Sequence, residues 1–238
     1  MITIRNGSRG SAVMLLQQLL NITADGIFGK KTEVAVKAFQ SAHSLTADGI
    51  VGPRTWKTLG DPSLPDCEIP CEDIKQFASP HGSMTYGPDK SYSTYKSGGC
   101  GVTSFAVVQR AYGLAPAGEK ATDTVQRLGR YAWTHGYRPK GSGTSAGLFK
   151  TNGCRYTYTG SAVKIEQALR EGKLVILLIK AGFPNGYSGS GHYIVAYGIR
   201  GDTVLLRDVG SSAASRQKAP LSGITQGLKA AYIMEVST

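Results

Sequence analysis

The sequence predicts a small all-α domain of three helices followed by an α+β domain with a central antiparallel sheet. A repeat indicates the first domain, because Ala24-Asp-Gly-Ile-Phe-Gly29 returns 23 positions later as Ala47-Asp-Gly-Ile-Val-Gly52. Residues 60–73 hold three prolines and five acids, which is typical of a stiff, acidic linker. A chain of 238 residues suits two modest domains. We therefore predict domains at residues 1–60 and 74–238, with a linker at 61–73.

Each copy of the repeat is predicted to be an Asp-Gly turn that leads into a helix. In the first copy Val36 and Phe39 lie on one helical face, and in the second copy Trp56 and Leu59 do the same. A helix predicted from Ser11 to Leu20 offers one more apolar face. These three short helices form the predicted bundle.

A longer pattern extends across both copies. It is L-Q-x-x-L, then D-G-x-F-G-x-x-T-x-x-A-V-x-x-F-Q, then D-G-I-V-G-x-x-T-W, and it extends from Leu16 to Trp56. The pattern resembles the peptidoglycan-binding domain found at one end of many cell-wall hydrolases, which implies bacterial peptidoglycan as a partner. The polar candidates for contact with glycan or peptide are Asp25, Gln40 and Asp48. Each of them is equally suited to cap a helix or to hold a turn.

The second domain contains the stretch Gly98-Gly-Cys-Gly-Val-Thr-Ser104, in which small residues flank Cys100. Apolar residues then recur at helical spacing until Gly113, which predicts a helix that begins close to the cysteine. The positive end of a helix favours thiolate over thiol, and the thiolate is the reactive form. We expect the glycines at 98, 99 and 101 to let a substrate carbonyl approach the sulfur. A buried structural cysteine is the alternative interpretation.

A histidine and an aspartate follow in positions that suit the same chemistry. His192 comes after a glycine-rich loop and begins an apolar strand pattern that continues to Gly198. A second strand, Thr203 to Asp208, follows across a predicted hairpin turn at residues 200–202 and ends on a carboxylate. Cysteine, histidine and aspartate supply a nucleophile, its base and a residue that orients the base.

The patterns G-C-G-V-T-S-x-A-V-V, G-H-Y-I-V-A-Y-G and V-L-L-R-D resemble the papain-like peptidases related to the double-glycine leader peptidases. The resemblance covers residues 74–238 and implies Cys100 as nucleophile, His192 as general base and acid, and Asp208 as the residue that fixes the imidazole tautomer. In that family a glutamine shortly before the cysteine completes the oxyanion hole, but no glutamine lies between Gln76 and Cys100. The candidates to replace it are Tyr92, Ser93 and Tyr95.

Further helices and strands are predicted from the remaining sequence of the second domain. A helical pattern through Val125 and Leu128 is accompanied by arginines that we assign to its charged outer face, namely Arg127, Arg130 and Arg138. Residues 161–172 predict another helix, which Gly172 ends. The continuous apolar run 174–179 predicts a central strand. We expect the helices to lie on one side of the antiparallel sheet.

Charge and cysteine content narrow the classes of partner. The formal net charge is +11, which attracts polyanions such as nucleic acid, anionic lipid or an anionic cell wall. We expect no nucleic acid, because no recognition helix, stacking platform or zinc module accompanies the charge. No apolar run reaches the length of a membrane span, so no integral membrane association is expected. Cys67 and Cys71 are predicted to be idle thiols or a facultative disulfide, and no metal or cofactor is predicted.

Together the two resemblances imply a peptidoglycan hydrolase that cleaves amide bonds of the peptide moiety without a cofactor. An endopeptidase is the first hypothesis, with a cysteine-dependent N-acetylmuramoyl-L-alanine amidase and a non-enzymatic wall-binding protein as alternatives. The N-terminus lacks the basic-then-apolar order of a secretory signal. We therefore expect a monomeric phage endolysin that is made in the host cytoplasm and reaches the wall after release. A secreted autolysin whose leader is absent is the other possibility for its localisation.

Overall fold

The computed structural model describes residues 3–59, 66–141, 143–180 and 191–237, and residues 61–65 of the predicted linker lie outside them. The first domain consists of α1 (Ser11–Leu19), α2 (Lys30–Ala42) and α3 (Pro53–Thr58). The three helices enclose a small apolar core, whose fully buried members are Val13, Leu16, Phe28, Val36 and Val51. The predicted all-α domain of three helices is therefore confirmed.

The second domain is built on a sheet of seven strands, counted over the described residues, and every pairing in it is antiparallel. The strands are β1 (Cys67–Glu68), β2 (Cys154–Thr159), β3 (Val175–Ile179), β4 (His192–Arg200), β5 (Thr203–Arg207), β6 (Lys218–Pro220) and β7 (Leu228–Val236). Their spatial order is β2-β7-β3-β4-β5-β6. The short strand β1 pairs with Gly198 and Ile199, near the end of β4. The predicted central antiparallel sheet is confirmed, and β3 is a central strand.

Helices cover both faces of this sheet. They are α4 (Tyr95–Gly98), α5 (Cys100–Ala111), α6 (Ala121–Thr134), α7 (Ala162–Arg170) and α8 (Leu221–Gly227). Along β4, Tyr193 and Val195 join the core shared with α5 and α6, whereas Ile194 and Ala196 join the core shared with α7 and α8. The expectation of helices on one side only is therefore wrong. Its physical reason is that successive residues of β3, and of β4 from Tyr193 to Ile199, are uncharged and largely apolar, so both faces must be buried.

The two domains touch at α7, and the segment before the second domain runs along the sheet. The side-chain amide of Gln167 donates a hydrogen bond to the Arg9 carbonyl oxygen at 2.8 Å. Cys67 and Cys71 are both free thiols, and the chain is extended from Cys67 to Ile69, whose N–H bonds to β4. No helix in the described ranges combines the length and the apolar character needed to span a bilayer.

Candidate active site

Cys100 is the first residue of α5, and its sulfur lies between the start of that helix and the sheet. The first N–H groups of a helix have no partner within it, and the N–H of Gly101 donates to the sulfur. The N–H of Tyr193 on β4 donates to it as well. Among the described residues β5 pairs with β4 only from Val195 onward, so Tyr193 has no partner residue on β5. Cys100 itself remains partly exposed, so a substrate can reach it.

His192 and Asp208 lie at the same end of the sheet. His192 is the first residue of β4, and Asp208 directly follows β5. The Nε2 atom of His192 is 2.6 Å from Oδ1 of Asp208, and both residues are buried. A carboxylate only accepts, so Nε2 carries the proton in this bond and Nδ1 is left for the hydrogen bond to Cys100. The structure thus brings the three predicted catalytic residues together.

Charge in this group is stabilised by its contacts and not by water. Burial by itself lowers the pKa of His192, but the hydrogen bonds and negative charges of Asp208 and Cys100 raise it to about 9. Burial by itself raises the pKa of the Cys100 thiol. The hydrogen bond and charge of His192, together with two backbone N–H groups, outweigh the effect of burial and lower the pKa of Cys100. These contacts therefore favour a thiolate beside an imidazolium.

Three further groups hold Asp208. The N–H of Gly210 donates to its Oδ1 at 2.9 Å, and Nη2 of Arg216 lies 2.6 Å from its Oδ2. Lys75 donates through Nζ to the Asp208 backbone carbonyl at 2.9 Å. Burial favours the neutral acid, but His192, the Gly210 N–H and Arg216 keep the pKa of Asp208 below its ordinary value. Asp208 is therefore held as an anion in a fixed orientation.

Sequence reasoning did not identify Gly210, Arg216 or Lys75. A Cβ at position 210 would lie 2.8 Å from Cε1 of His192, so the close approach of the imidazole requires glycine there. The Asp-Val-Gly order after the strand was a usable signal for this residue. Arg216 and Lys75 lie in irregular segments with no motif, and only the tertiary structure brings them to Asp208.

The glycines around Cys100 have a role that differs from the expected one. A Cβ on Gly101 would lie 2.5 Å from Cβ of Thr144, and a Cβ on Gly98 would lie 2.5 Å from Oγ of Ser93. These positions therefore face protein atoms and not open space. The expectation that they clear a path for the substrate is wrong, because they allow the surrounding loops to pack closely on the turn that carries the nucleophile.

The three oxyanion candidates lie near this turn in different environments. Ser93 accepts a hydrogen bond at Oγ from Nη2 of Arg138 at 2.6 Å. The ring centroid of Tyr92 is 5.7 Å from the guanidinium carbon of the same arginine. Tyr95 is buried, and its hydroxyl packs so closely on α6 that Gly129 has no room for a Cβ. The identity of the second oxyanion donor stays a prediction.

Residues 74–234 match the family model described as "Peptidase_C39 like family". The chain belongs to this family. Ahead of the C39-like peptidase domain, residues 9–59 match the model described as "Putative peptidoglycan binding domain". Both resemblances inferred from the sequence are confirmed at this level. No curated protein matches the chain.

Solved structures resemble separate parts of the chain. A peptidoglycan-binding protein from Clostridioides difficile is 43% identical over 24% of this chain and 40% of its own, with a TM-score of 0.24. The Burkholderia AP3 phage endolysin is 46% identical over 26% of this chain and 27% of its own, also with a TM-score of 0.24. A "putative C39-like peptidase" from Bacillus anthracis is 14% identical over 73% of this chain and 100% of its own, with a TM-score of 0.46. The chain thus spans less than half the length of the first two.

Ahead of the C39-like domain, the predicted peptidoglycan-binding residues hold the turns of the repeat. In the second copy, Nε2 of Gln40 donates to Oδ1 of Asp48 at 3.0 Å, to the Ile50 carbonyl at 2.9 Å and to Oγ1 of Thr55 at 3.2 Å. Its Oε1 accepts the Gly49 N–H at 2.9 Å. A cavity of about 310 Å³ opens beside this copy, and Gln40 and Asp48 are among its lining residues.

The first copy contains the same network, built by a residue that sequence reasoning missed. Gln17 donates through Nε2 to Oδ1 of Asp25 at 2.7 Å, to the Ile27 carbonyl at 3.1 Å and to Oγ1 of Thr32 at 3.0 Å. Its Oε1 accepts the Gly26 N–H at 2.9 Å. The 23-residue spacing was the available signal, because Gln17 stands in the first copy where Gln40 stands in the second.

Proposed function

We propose that this protein is a peptidoglycan hydrolase of the endopeptidase type, which cleaves amide bonds in the peptide moiety of the wall. One observation carries the proposal: the hydrogen-bonded group of Cys100, His192 and Asp208 lies in a C39-like peptidase domain that shares its chain with a module of peptidoglycan-binding type. The site provides the nucleophile, its acid and base, and the fixed carboxylate that this reaction needs.

In the first half of the reaction, the Cys100 thiolate attacks the carbonyl carbon of the amide, and the carbonyl π electrons move to the oxygen. The backbone N–H of Cys100, at the start of α5, is the oxyanion donor that this geometry offers. As the tetrahedral intermediate collapses, the C–N bond breaks and His192 gives its proton to the leaving amine. The products of this half are the free amine and a thioester on Cys100.

In the second half, His192 is neutral and accepts a proton from water while the water oxygen attacks the thioester carbonyl. The C–S bond then breaks, and the acid product leaves with the thiolate restored. Asp208 stays ionised throughout, because its contacts hold its pKa low. It keeps the Nε2–H tautomer of His192, so that Nδ1 always faces the sulfur.

The N-terminal module contributes proximity to the polymer. A hydrolase tethered to its insoluble substrate meets scissile bonds at a high effective concentration. The net charge of +11 adds attraction to anionic wall polymers. Such a two-part build suits a lytic enzyme, and we propose a phage endolysin, with a secreted autolysin as the alternative setting. Production in a bacterial cytoplasm tests the former, since lysis is then expected only after the membrane is permeabilised.

Mass spectrometry of fragments released from purified walls tests the proposed bond. New free amino termini within stem peptides or cross-bridges are expected from an endopeptidase. Intact stem peptides detached from muramic acid would replace this proposal with the amidase. The matched control is Cys100→Ala, which is expected to release no fragments while it still sediments with walls. A Cys100→Ala protein that releases the same fragments as the natural one would contradict the proposal.

A further inference from the structure

Arg138 is buried, although the sequence assigned it to the charged outer face of a helix. It follows α6, is 3% exposed, and differs from Arg130, which does lie at the surface. Its Nη2 donates to Oγ of Ser93 at 2.6 Å, and its Nη1 donates to the Pro139 carbonyl at 3.1 Å. Its guanidinium carbon lies 4.6 Å from the centroid of Tyr86. All these contacts are with neutral groups.

No carboxylate pairs with Arg138 within the part of the chain that the structure describes, and its buried Nε has no hydrogen-bond partner there. Two other arginines with little exposure pair with an acid: Arg170 lies 2.9 Å from Glu166, and Arg216 pairs with Asp208. A buried charge without a countercharge costs several kcal/mol in proteins, of the order of the desolvation of one ion. Such a charge is available to stabilise an anion that forms close to it.

Arg138 lies directly behind the turn that carries the nucleophile. A Cβ on Gly98, two residues before Cys100, would lie 3.1 Å from Nη2 of Arg138. Tyr86, whose ring faces the guanidinium, places its hydroxyl 3.0 Å from Oγ1 of Thr144. Thr144 in turn packs on Gly101, the residue after Cys100. Arg138 and Tyr86 therefore form a buried layer against residues 98–101.

We propose that Arg138 supplies the fixed positive charge that stabilises the anionic states of the Cys100 site, namely the thiolate and then the oxyanion of the tetrahedral intermediate. The proposal rests on the proposed function, because it needs Cys100 to act as the nucleophile. A guanidinium stays charged at all relevant pH values, and its field is strong where water is excluded. In this role Arg138 is a positioning residue. It acts on the Cys100 site through its charge, across the turn, and does not touch the substrate.

The other titratable groups that face Cys100 do not replace this charge. His192 loses its proton during the reaction, so it is neutral when the thioester is hydrolysed. Burial keeps the pKa of Tyr86 and of Tyr193 far above the ordinary value, so both remain neutral phenols. Since Tyr86 stays neutral, it does not cancel the charge of Arg138 either. Arg138 is therefore a buried cation beside the turn whose charge lasts through the reaction.

The pH dependence of Cys100 alkylation by iodoacetamide tests the proposal in the full-length protein. Peptide mass spectrometry separates Cys100 from the other thiols, namely Cys67, Cys71 and Cys154. In Arg138→Gln the midpoint of alkylation is expected to rise by about one pH unit, as for loss of a nearby opposite charge. The rate of wall hydrolysis is expected to fall by at least about tenfold. Arg138→Lys keeps the charge, and its alkylation midpoint is expected to lie close to that of the natural protein.

A matched control is Arg155→Gln, which removes an exposed arginine paired with Glu235 on the sheet edge and is expected to leave the midpoint unchanged. If Arg138→Gln does not fold, Arg138→Met fills the same buried space without charge and takes its place. A folded neutral variant with the natural midpoint would overturn the role of Arg138 alone. An ordinary thiol midpoint for Cys100 in the natural protein would instead overturn the proposed mechanism, so the two failures are distinguishable.

Discussion

The two domains treat their buried polar groups in different ways. In the N-terminal module, the side-chain amides of Gln17 and Gln40 each bond to the Asp-Gly turn of their own repeat copy. Both the donor and the acceptor atom of each amide are used. In the peptidase domain, buried polar atoms remain without a partner, among them Oγ1 of Thr103, Oγ of Ser104 and Nε of Arg138. None of the described side chains of the N-terminal module has such an atom.

The buried polar network of the module holds turns, whereas the buried polar groups of the peptidase domain include the proposed catalytic group. A fully satisfied network is stable by itself and adds rigidity, because each member loses a partner if it moves. In a partly satisfied network, the polar atoms without a partner can still interact with another group. The aspartates of the module accept backbone N–H bonds from their own turns, whereas Asp208 is a buried anion that accepts a hydrogen bond from His192.

Replacement of one aspartate in each domain gives the largest expected contrast. In Asp208→Asn, the side-chain amide no longer fixes the tautomer or charge of His192, and wall hydrolysis is expected to fall by about 10³-fold to 10⁴-fold. Asp48→Asn, its counterpart in the module, still offers a side-chain oxygen to the Ile50 N–H and is expected to change the hydrolysis rate little. Release of soluble fragments measures both. Comparable losses in the two variants would remove the distinction between the domains.

A methyl group at Gly210 tests whether the position of the imidazole matters as much as its chemistry. The added Cβ would lie 2.8 Å from Cε1 of His192 and must displace the ring. We expect hydrolysis to fall by about tenfold to a hundredfold, since small misplacements of catalytic groups have effects of this size. Gly160→Ala is the control, because no atom lies within 4 Å of its added Cβ. A Gly210→Ala protein with natural activity would show that His192 tolerates such a shift.

The sequence was most informative where the interactions are local. The helix predicted from Ser11 to Leu20 is observed as Ser11–Leu19, and the helix predicted over 161–172 is observed as Ala162–Arg170. Apolar periodicity and turn glycines determine such elements over a few residues. The position of Cys100 at the start of a helix and of His192 at the start of a strand were predictable for the same reason.

The surroundings of the site were not predictable, because they depend on contacts between distant segments. Arg138 was assigned to a surface on helical periodicity, but α6 ends at Thr134, and the following loop turns the arginine inward. Arg216 meets Asp208 only through the path of the chain between β5 and β6. Residue spacing along the chain carries no information about these distances.

The pH dependence of the two activities distinguishes the domains once more. In the proposed mechanism, hydrolysis requires the Cys100 thiolate and the His192 imidazolium. The pKa of Cys100 is lowered, and that of His192 is raised to about 9. Above about pH 9 His192 loses the proton that the leaving amine needs, and below the lowered pKa of Cys100 the thiolate is lost. We expect a rate that falls about tenfold per pH unit beyond each edge.

Binding of the module to walls is expected to stay level over the same range. The pKa values of Asp25 and Asp48 are lowered, chiefly by backbone N–H bonds from Ile27 and Ile50, and that of Glu33 is lowered to about 2 by Lys37. These acids therefore keep their charge wherever the enzyme is active. Co-sedimentation of Cys100→Ala with walls measures binding without cleavage. A binding curve that follows the hydrolysis curve would mean that one titration controls both.

The smallest expected effects come from breaking the module's own networks, and here the two copies should respond alike. In Gln17→Ala and in Gln40→Ala, the N–H of Gly26 or of Gly49 loses its acceptor. Each loss is expected to destabilise its turn by about 1–3 kcal/mol, the cost of unsatisfied buried groups.

Hydrogen–deuterium exchange measures this at residues 25–27 and 48–50. Because the matched bonds differ in length by no more than a few tenths of an ångström, we expect similar acceleration in both variants. Cleavage of soluble peptide fragments should remain unchanged, since the network does not reach α5. Faster exchange at one turn only would show that the two glutamines do not stabilise their turns equally, although the sequence repeats. Lost cleavage of soluble fragments would instead show that the module supports the active site itself.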